Sequence, residues 1–264
     1  MTTTRSQDGT LIAFEREGQG PAVILSGGAL TSRLDSAPLG ALLAARFAVY
    51  RYDRRGRGDS GDTAPYAVAR EVDDLAALIE QAGGSVCLFG HSSAAVLALE
   101  AASRLHGRVR KLALYEPPFI VDDSRSPMPT NYREELEMLL AEGRRGDAVE
   151  YFMNHALDAA PEWIMQTKEG PAWHELVALA HTLLYDAAVV ADIVNGKPLP
   201  AARWAAVRAP TLVIDERQSA TYLRHAAEAL ATVLPKAQLR TLAVEGPVAP
   251  PEAVAPLLLD FFGA

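Results

Sequence analysis

Short, mostly apolar runs alternate along this chain with longer stretches whose apolar residues recur every three or four positions. The short runs, at 22–25, 47–52, 86–90, 109–115, 210–215 and 237–244, carry few polar side chains on either face. That is the mark of strands covered on both sides in a parallel sheet. The stretches 34–47, 71–82, 94–105, 223–234 and 252–262 have helical periodicity, and in 71–82 it puts Val72, Leu75, Leu78 and Ile79 on one face. Residues 2–17 mix polar and apolar positions around Asp8-Gly9, which predicts an opening β-hairpin. Regular strand–helix alternation implies an α/β fold with a doubly wound, mostly parallel sheet.

Residues 119–205 interrupt that rhythm. They offer no convincing strand, and 132–142, 147–156, 163–168 and 173–190 read as helices rich in Ala, Leu, Glu and Met. Ligands of open α/β sheets bind at the carboxyl ends of the strands, so an all-helical insertion between two sheet strands is expected to lie over them as a cap. The expected division is a core of 1–118 and 206–264 with a helical cap of 119–205. Proline clusters at 117–118, 127–129, 198–200 and 250–251 mark boundaries.

Composition narrows the range of partners. The 264 residues are 49% hydrophobic with a formal net charge of −8, which argues against a nucleic-acid backbone or an anionic membrane surface. No apolar run approaches the roughly 20 residues of a membrane span, and the polar start of the chain makes the cytoplasm the expected compartment. The single cysteine, Cys87, sits in an apolar strand and reads as a small buried hydrophobe. No pair of histidines or cysteines has metal-ligand spacing. The expected partner is a small-molecule substrate; no cofactor is implied, and nothing speaks to oligomeric state.

Chemistry concentrates where the run 86–90 ends. Gly90-His91-Ser92-Ser93-Ala94 joins a strand to a helix, and a serine in so tight a turn has its hydroxyl lifted off the sheet edge, provided that Gly90 and Ala94 stay small. Ser92 is therefore the candidate nucleophile. Two further stretches accompany it: Ser26-Gly27-Gly28-Ala29 after the run 22–25, and Asp53-Arg54-Arg55-Gly56-Arg57-Gly58-Asp59-Ser60 after the run 47–52. Together these motifs resemble the α/β-hydrolase fold superfamily, serine hydrolase-like, over essentially the whole chain. The resemblance implies an oxyanion hole made by the Gly28 and Ser93 N–H groups, with the Asp-x-Arg-Gly-x-Gly loop as scaffold. Gly56–Gly61 also satisfies a dinucleotide fingerprint, but Asp59 and Asp62 flank it and Pro65 follows, which is the wrong charge and the wrong continuation for a phosphate-binding helix.

In this superfamily the triad runs nucleophile, acid, histidine. Glu116, directly after the strand that follows the elbow, is the first candidate acid, as in haloalkane dehalogenases; Asp215, beside Glu216, is the second. The commoner position falls on Ser219, which cannot serve. The histidine expected after the last strand is absent: no histidine follows His225, and Pro247 stands about where the base belongs. Without a base, a serine hydroxyl is a poor nucleophile near neutral pH. His91 adjoins Ser92, and His181, near Tyr185 in the expected cap, is the foremost stand-in. Ser26, Gly27, His91, His181 and Tyr185 are candidate pocket residues. Three functions are left open: a hydrolase of small, largely apolar esters or carbonyl compounds with a degenerate triad, a non-hydrolytic cyclase, lyase or isomerase of secondary metabolism, and an inactive small-molecule binding protein.

Overall fold

The computed structural model describes residues 1–244 and 249–264. Eight strands form one sheet: β1 (Thr2–Arg5), β2 (Leu11–Glu17), β3 (Ala22–Ser26), β4 (Ala48–Tyr52), β5 (Val86–His91), β6 (Val109–Tyr115), β7 (Thr211–Glu216) and β8 (Ala237–Leu242). Their order is β1-β2-β4-β3-β5-β6-β7-β8. The opening hairpin pairs antiparallel with itself and with β4, and every later pairing is parallel. This is the doubly wound, mostly parallel sheet that the alternation predicts, in the α/β-hydrolase arrangement that the motif resemblance implies.

Helices cover both faces. α1 (Ala37–Leu43), α2 (Val68–Gln81) and α3 (Ser93–Arg104) precede β6; α4 (Tyr132–Ala141), α5 (Arg145–His155), α6 (Pro161–Glu169), α7 (Trp173–Leu179) and α8 (Leu183–Val190) separate β6 from β7; α9 (Thr221–Val233) and α10 (Pro251–Gly263) follow. Side chains of a strand alternate between faces, and the core divides accordingly. Ile24, Leu88, Leu112 and Val213 pack with Leu75, Leu97 and Leu230 from α2, α3 and α9. Val23, Cys87, Phe89, Tyr115 and Ile214 pack with Leu43, Leu258 and Phe262 from α1 and α10. A third cluster, with Leu136, Val149, Met153 and Leu183, belongs to the helices between β6 and β7 and reaches Leu30 in the core.

Two expected helices are interrupted. The stretch 34–47 is helical only over Ala37–Leu43. In 173–190 a 3-10 turn, Ala180–Thr182, separates α7 from α8. There the Thr182 hydroxyl donates to the Leu179 carbonyl at 2.8 Å, a local competitor for the helical pattern. Among the described residues no helix is long and apolar enough to cross a membrane.

Strand order reverses at β3, whose neighbours are β4 on one side and β5 on the other. The crevice outside the carboxyl ends of β3 and β5 is the place where such a sheet exposes backbone to a ligand. Both glycine-bearing stretches end there, because Ser26 and Gly90 stand opposite each other in the pairing.

Candidate functional site

β5 turns into α3 through Ser92, whose backbone lies at φ 55°, ψ −127°. A non-glycine residue there is strained, and surrounding structure must hold it. The Ser92 N–H donates to the Tyr115 carbonyl at 2.9 Å and the Ala95 N–H to the Ser92 carbonyl at 2.8 Å. Gly90 has no room for a side chain: a Cβ would be driven into the Ala94 carbonyl. Gly28 lies directly against the bend, since a Cβ on it would sit 3.1 Å from Ser92 Cβ and 3.6 Å from Ser92 Oγ. Among the described residues neither the Gly28 nor the Ser93 N–H finds an acceptor, the latter being an orphan donor of the first turn of α3.

The loops that carry these two amides are held by one carboxylate. Asp186, the single charge in the apolar helix α8, is buried and accepts the Ser93 hydroxyl at 2.6 Å, Arg54 Nη1 at 2.7 Å and Arg57 Nη2 at 2.6 Å. Arg57 Nη1 reaches on to the Gly28 carbonyl, which also accepts the Thr31 hydroxyl at 2.9 Å. Arg54 grips Glu71 of α2 through two contacts of 2.7 Å, and Tyr66 donates to the same carboxylate. Two arginines and two acids thus form a buried, neutral quartet. Burial alone would raise the Asp186 carboxyl, but the Arg57 and Arg54 guanidiniums outweigh it and hold it below the usual range. Asp186 is a fixed anion. Spacing gave no sign of a contact spanning 132 residues; the one visible signal was a lone aspartate inside Leu183–Val190.

On the opposite side of the bend lies a different set. By strand alternation His91 shares the α10 face with Cys87 and Phe89, and its ring stacks on Tyr115 with centroids 4.9 Å apart. Burial pushes the His91 imidazole down to about 4, with Glu216 pulling the other way. Glu216, also on that face, accepts the Tyr115 hydroxyl and, at 2.9 Å, the Ala249 N–H. It therefore ties down the chain where β8 leads into α10. Pro247 itself lies outside the described residues.

The remaining candidates disperse. Asp215 points to the α9 face, opposite Thr241 and near Arg224, and burial pushes its carboxyl up. It does not share the face of His91, and the carboxylate that does is its neighbour Glu216. Glu116 has φ 47° and accepts the Ser219 hydroxyl, so the residue at the commoner acid position serves as its partner; burial raises the Glu116 carboxyl. Ser26 bonds Tyr52 at 2.8 Å, and Gly27 lies against the Thr31 side chain. His181 stands 3.1 Å from Arg145, and Tyr185 stacks on Tyr66 and donates to Asp62 at 2.5 Å.

Ser92, Ser93 and Asp186 line a narrow cleft of about 50 Å³, walled by Pro118, Ile120, Phe152, Leu183 and Val190. Among the described residues no histidine lines it, and neither His181 nor Tyr185 does. Ser26, Gly27, Gly28 and His91 instead line a depression on the other side of the bend, with Tyr115 and Ala249. Among the described residues no group of three or more His, Cys, Asp or Glu is placed to hold a metal ion.

A strained strand-to-helix serine at the sheet's reversal point, with two free amides beside it, defines a class, and the comparisons agree. Residues 22–256 match the alpha/beta hydrolase family, and the chain belongs to that family. It is similar, at 50% identity and TM-score 0.93, to an alpha/beta hydrolase from Sphaerobacter thermophilus DSM 20745, with 99% of this chain and 100% of that one covered. The fold is shared with the enol-lactonase from Burkholderia xenovorans LB400 (19% identity, TM-score 0.72, 100% of both chains). It is shared too with a thermophilic esterase from Thermogutta terrifontis (21%, TM-score 0.71, 99% and 97%).

Proposed function

We propose that this protein is a hydrolase of small, largely apolar esters or related carbonyl compounds, with Ser92 as nucleophile, the Gly28 and Ser93 amides as oxyanion hole, and a degenerate triad. Residues 119–205 act as the cap. The observation that carries this reading is Ser92 held at positive φ against Gly28, facing an apolar cleft. As Ser92 Oγ attacks the carbonyl carbon, charge gathers on the carbonyl oxygen and the two amides accept it by donating hydrogen bonds. Asp186 positions both donors at once, Ser93 directly and Gly28 through Arg57. With no imidazole in the cleft the Ser92 proton passes to solvent, and the reaction runs well below the rate of a complete triad. Positioning and the oxyanion hole alone leave roughly 10³- to 10⁴-fold over water.

The same absence supports a second reading. Two free amides beside Ser92 also stabilise an enolate, which a non-hydrolytic lyase or isomerase needs without any acyl-enzyme. Hydrolysis of p-nitrophenyl butyrate by the wild type and by Ser92→Ala separates the two. The first reading expects weak turnover that Ser92→Ala abolishes, and unchanged turnover in the variant overturns it. Deuterium exchange alpha to the carbonyl of a bound ketone, persisting in Ser92→Ala, would favour the second.

A further inference from the structure

The wall of the Ser92 cleft contains one charge that the protein leaves uncompensated. Arg125 lies between β6 and α4 and lines both this cleft and a more polar groove outside it, where it meets Asn154, Asp158 and Tyr222. Its guanidinium is fixed rather than free. The face stacks on the Tyr222 ring with 4.6 Å between guanidinium carbon and ring centroid. Nη1 donates to the Ala156 carbonyl at 3.0 Å and Nη2 to the His155 carbonyl, both at the end of α5. Those contacts use two of five N–H donors and orient the fork.

No carboxylate pairs with Arg125 among the described residues. The other charge in the cleft, Asp186, is balanced inside its quartet by Arg54 and Arg57 with Glu71. A cation oriented by carbonyls and an aromatic face, in the wall of a largely apolar cleft, matches a carboxylate in a way that a neutral group does not. Capping of α5 accounts for the two bonded hydrogens but not for the place of Arg125 in the wall of the cleft that Ser92 also lines.

We infer that Arg125 is a specificity-determining residue that binds a carboxylate on the substrate, the far end of a short apolar chain whose carbonyl lies at Ser92. The inference rests on the function proposed above for its chain direction, though not for the binding itself. The substrate class is then a half-ester, or a comparable carbonyl compound, of a small dicarboxylic acid.

Calorimetric binding to Ser92→Ala, which removes turnover, tests this with monomethyl succinate, glutarate and adipate against their dimethyl counterparts. At least one half-ester is expected to bind about tenfold or more tightly than its diester, in proportion to a charge-assisted pair, and the preference should shrink with added salt. Adding Arg125→Gln removes the preference and leaves diester binding unchanged, and Arg125→Lys restores part of it. Equal binding of half-ester and diester, or a preference that survives Arg125→Gln, overturns the inference. If Arg125→Gln does not fold, as judged by thermal unfolding, the wild-type preference and its salt dependence decide alone. An Arg125-dependent preference with no half-ester hydrolysis by the wild type sinks the proposed hydrolysis and leaves the carboxylate site standing.

Discussion

The two sides of the Ser92 bend differ in how completely they are built. Towards α8 a buried carboxylate clamps Arg54, Arg57 and Ser93. Towards α10 the polar groups hold one another: Tyr115 and the Ala249 amide occupy Glu216, and His91 lies flat on Tyr115. On the proposed reading the first side holds the donors that stabilise negative charge on a substrate, whereas among the described residues the second offers Ser92 no free base. Stabilising an oxyanion and moving a proton would then be separable functions, supplied by opposite faces of the sheet.

The sharpest way to break that contrast is at Asp186. Asp186→Ala leaves Arg54 and Arg57 buried without their shared anion, and a loss of about 3–5 kcal/mol is expected by urea unfolding. A loss under 1 kcal/mol would mean that the quartet does not organise the site. Gly28→Ala should act on chemistry instead of stability. Its methyl meets Ser92 Cβ at 3.1 Å and the His91 carbonyl at 3.2 Å, so the Gly28 loop and the bend must part by a few tenths of an ångström. Ser92-dependent turnover is expected to fall roughly 10²-fold, as for the loss of one oxyanion donor, while unfolding shifts little. A variant as active as the wild type would remove Gly28 from the oxyanion hole.

The α10 side makes a smaller prediction. His91 in the folded protein titrates near 4, below the ordinary 6.5, so between those values the unfolded chain binds the proton more readily. Stability is complete above about pH 6.5 and is lost as pH falls towards 4, by on the order of 2 kcal/mol. Unfolding at pH 7 and pH 4.5 should show a drop that His91→Gln reduces. An equal drop in both would place the acid sensitivity elsewhere.

Much of this was legible in the chain. Apolar runs placed the strands of the sheet, and the elbow and the Ser26–Ala29 stretch lie at the reversal between β3 and β5 because they end neighbouring strands. Three features were hidden for different reasons. Strand alternation determines that Glu216 and not Asp215 faces His91, a distinction of one residue that depends on which face each helix covers. The pairing of Asp186 with Arg54 and Arg57 joins segments about 130 residues apart, and no local pattern encodes it. Arg125 was silent because its meaning lies in a missing partner, which only the packed structure reveals.

On the proposed reading Ser92 is cradled for acyl chemistry yet lacks a base. The rate at which a fluorophosphonate modifies Ser92, read by intact mass and peptide mapping in the wild type and in Pro247→His, tests both halves together. Slow formation of one adduct, on Ser92 in the wild type, and at least tenfold faster formation in Pro247→His is the expected result. No adduct on either folded protein, or modification at another residue, would contradict it.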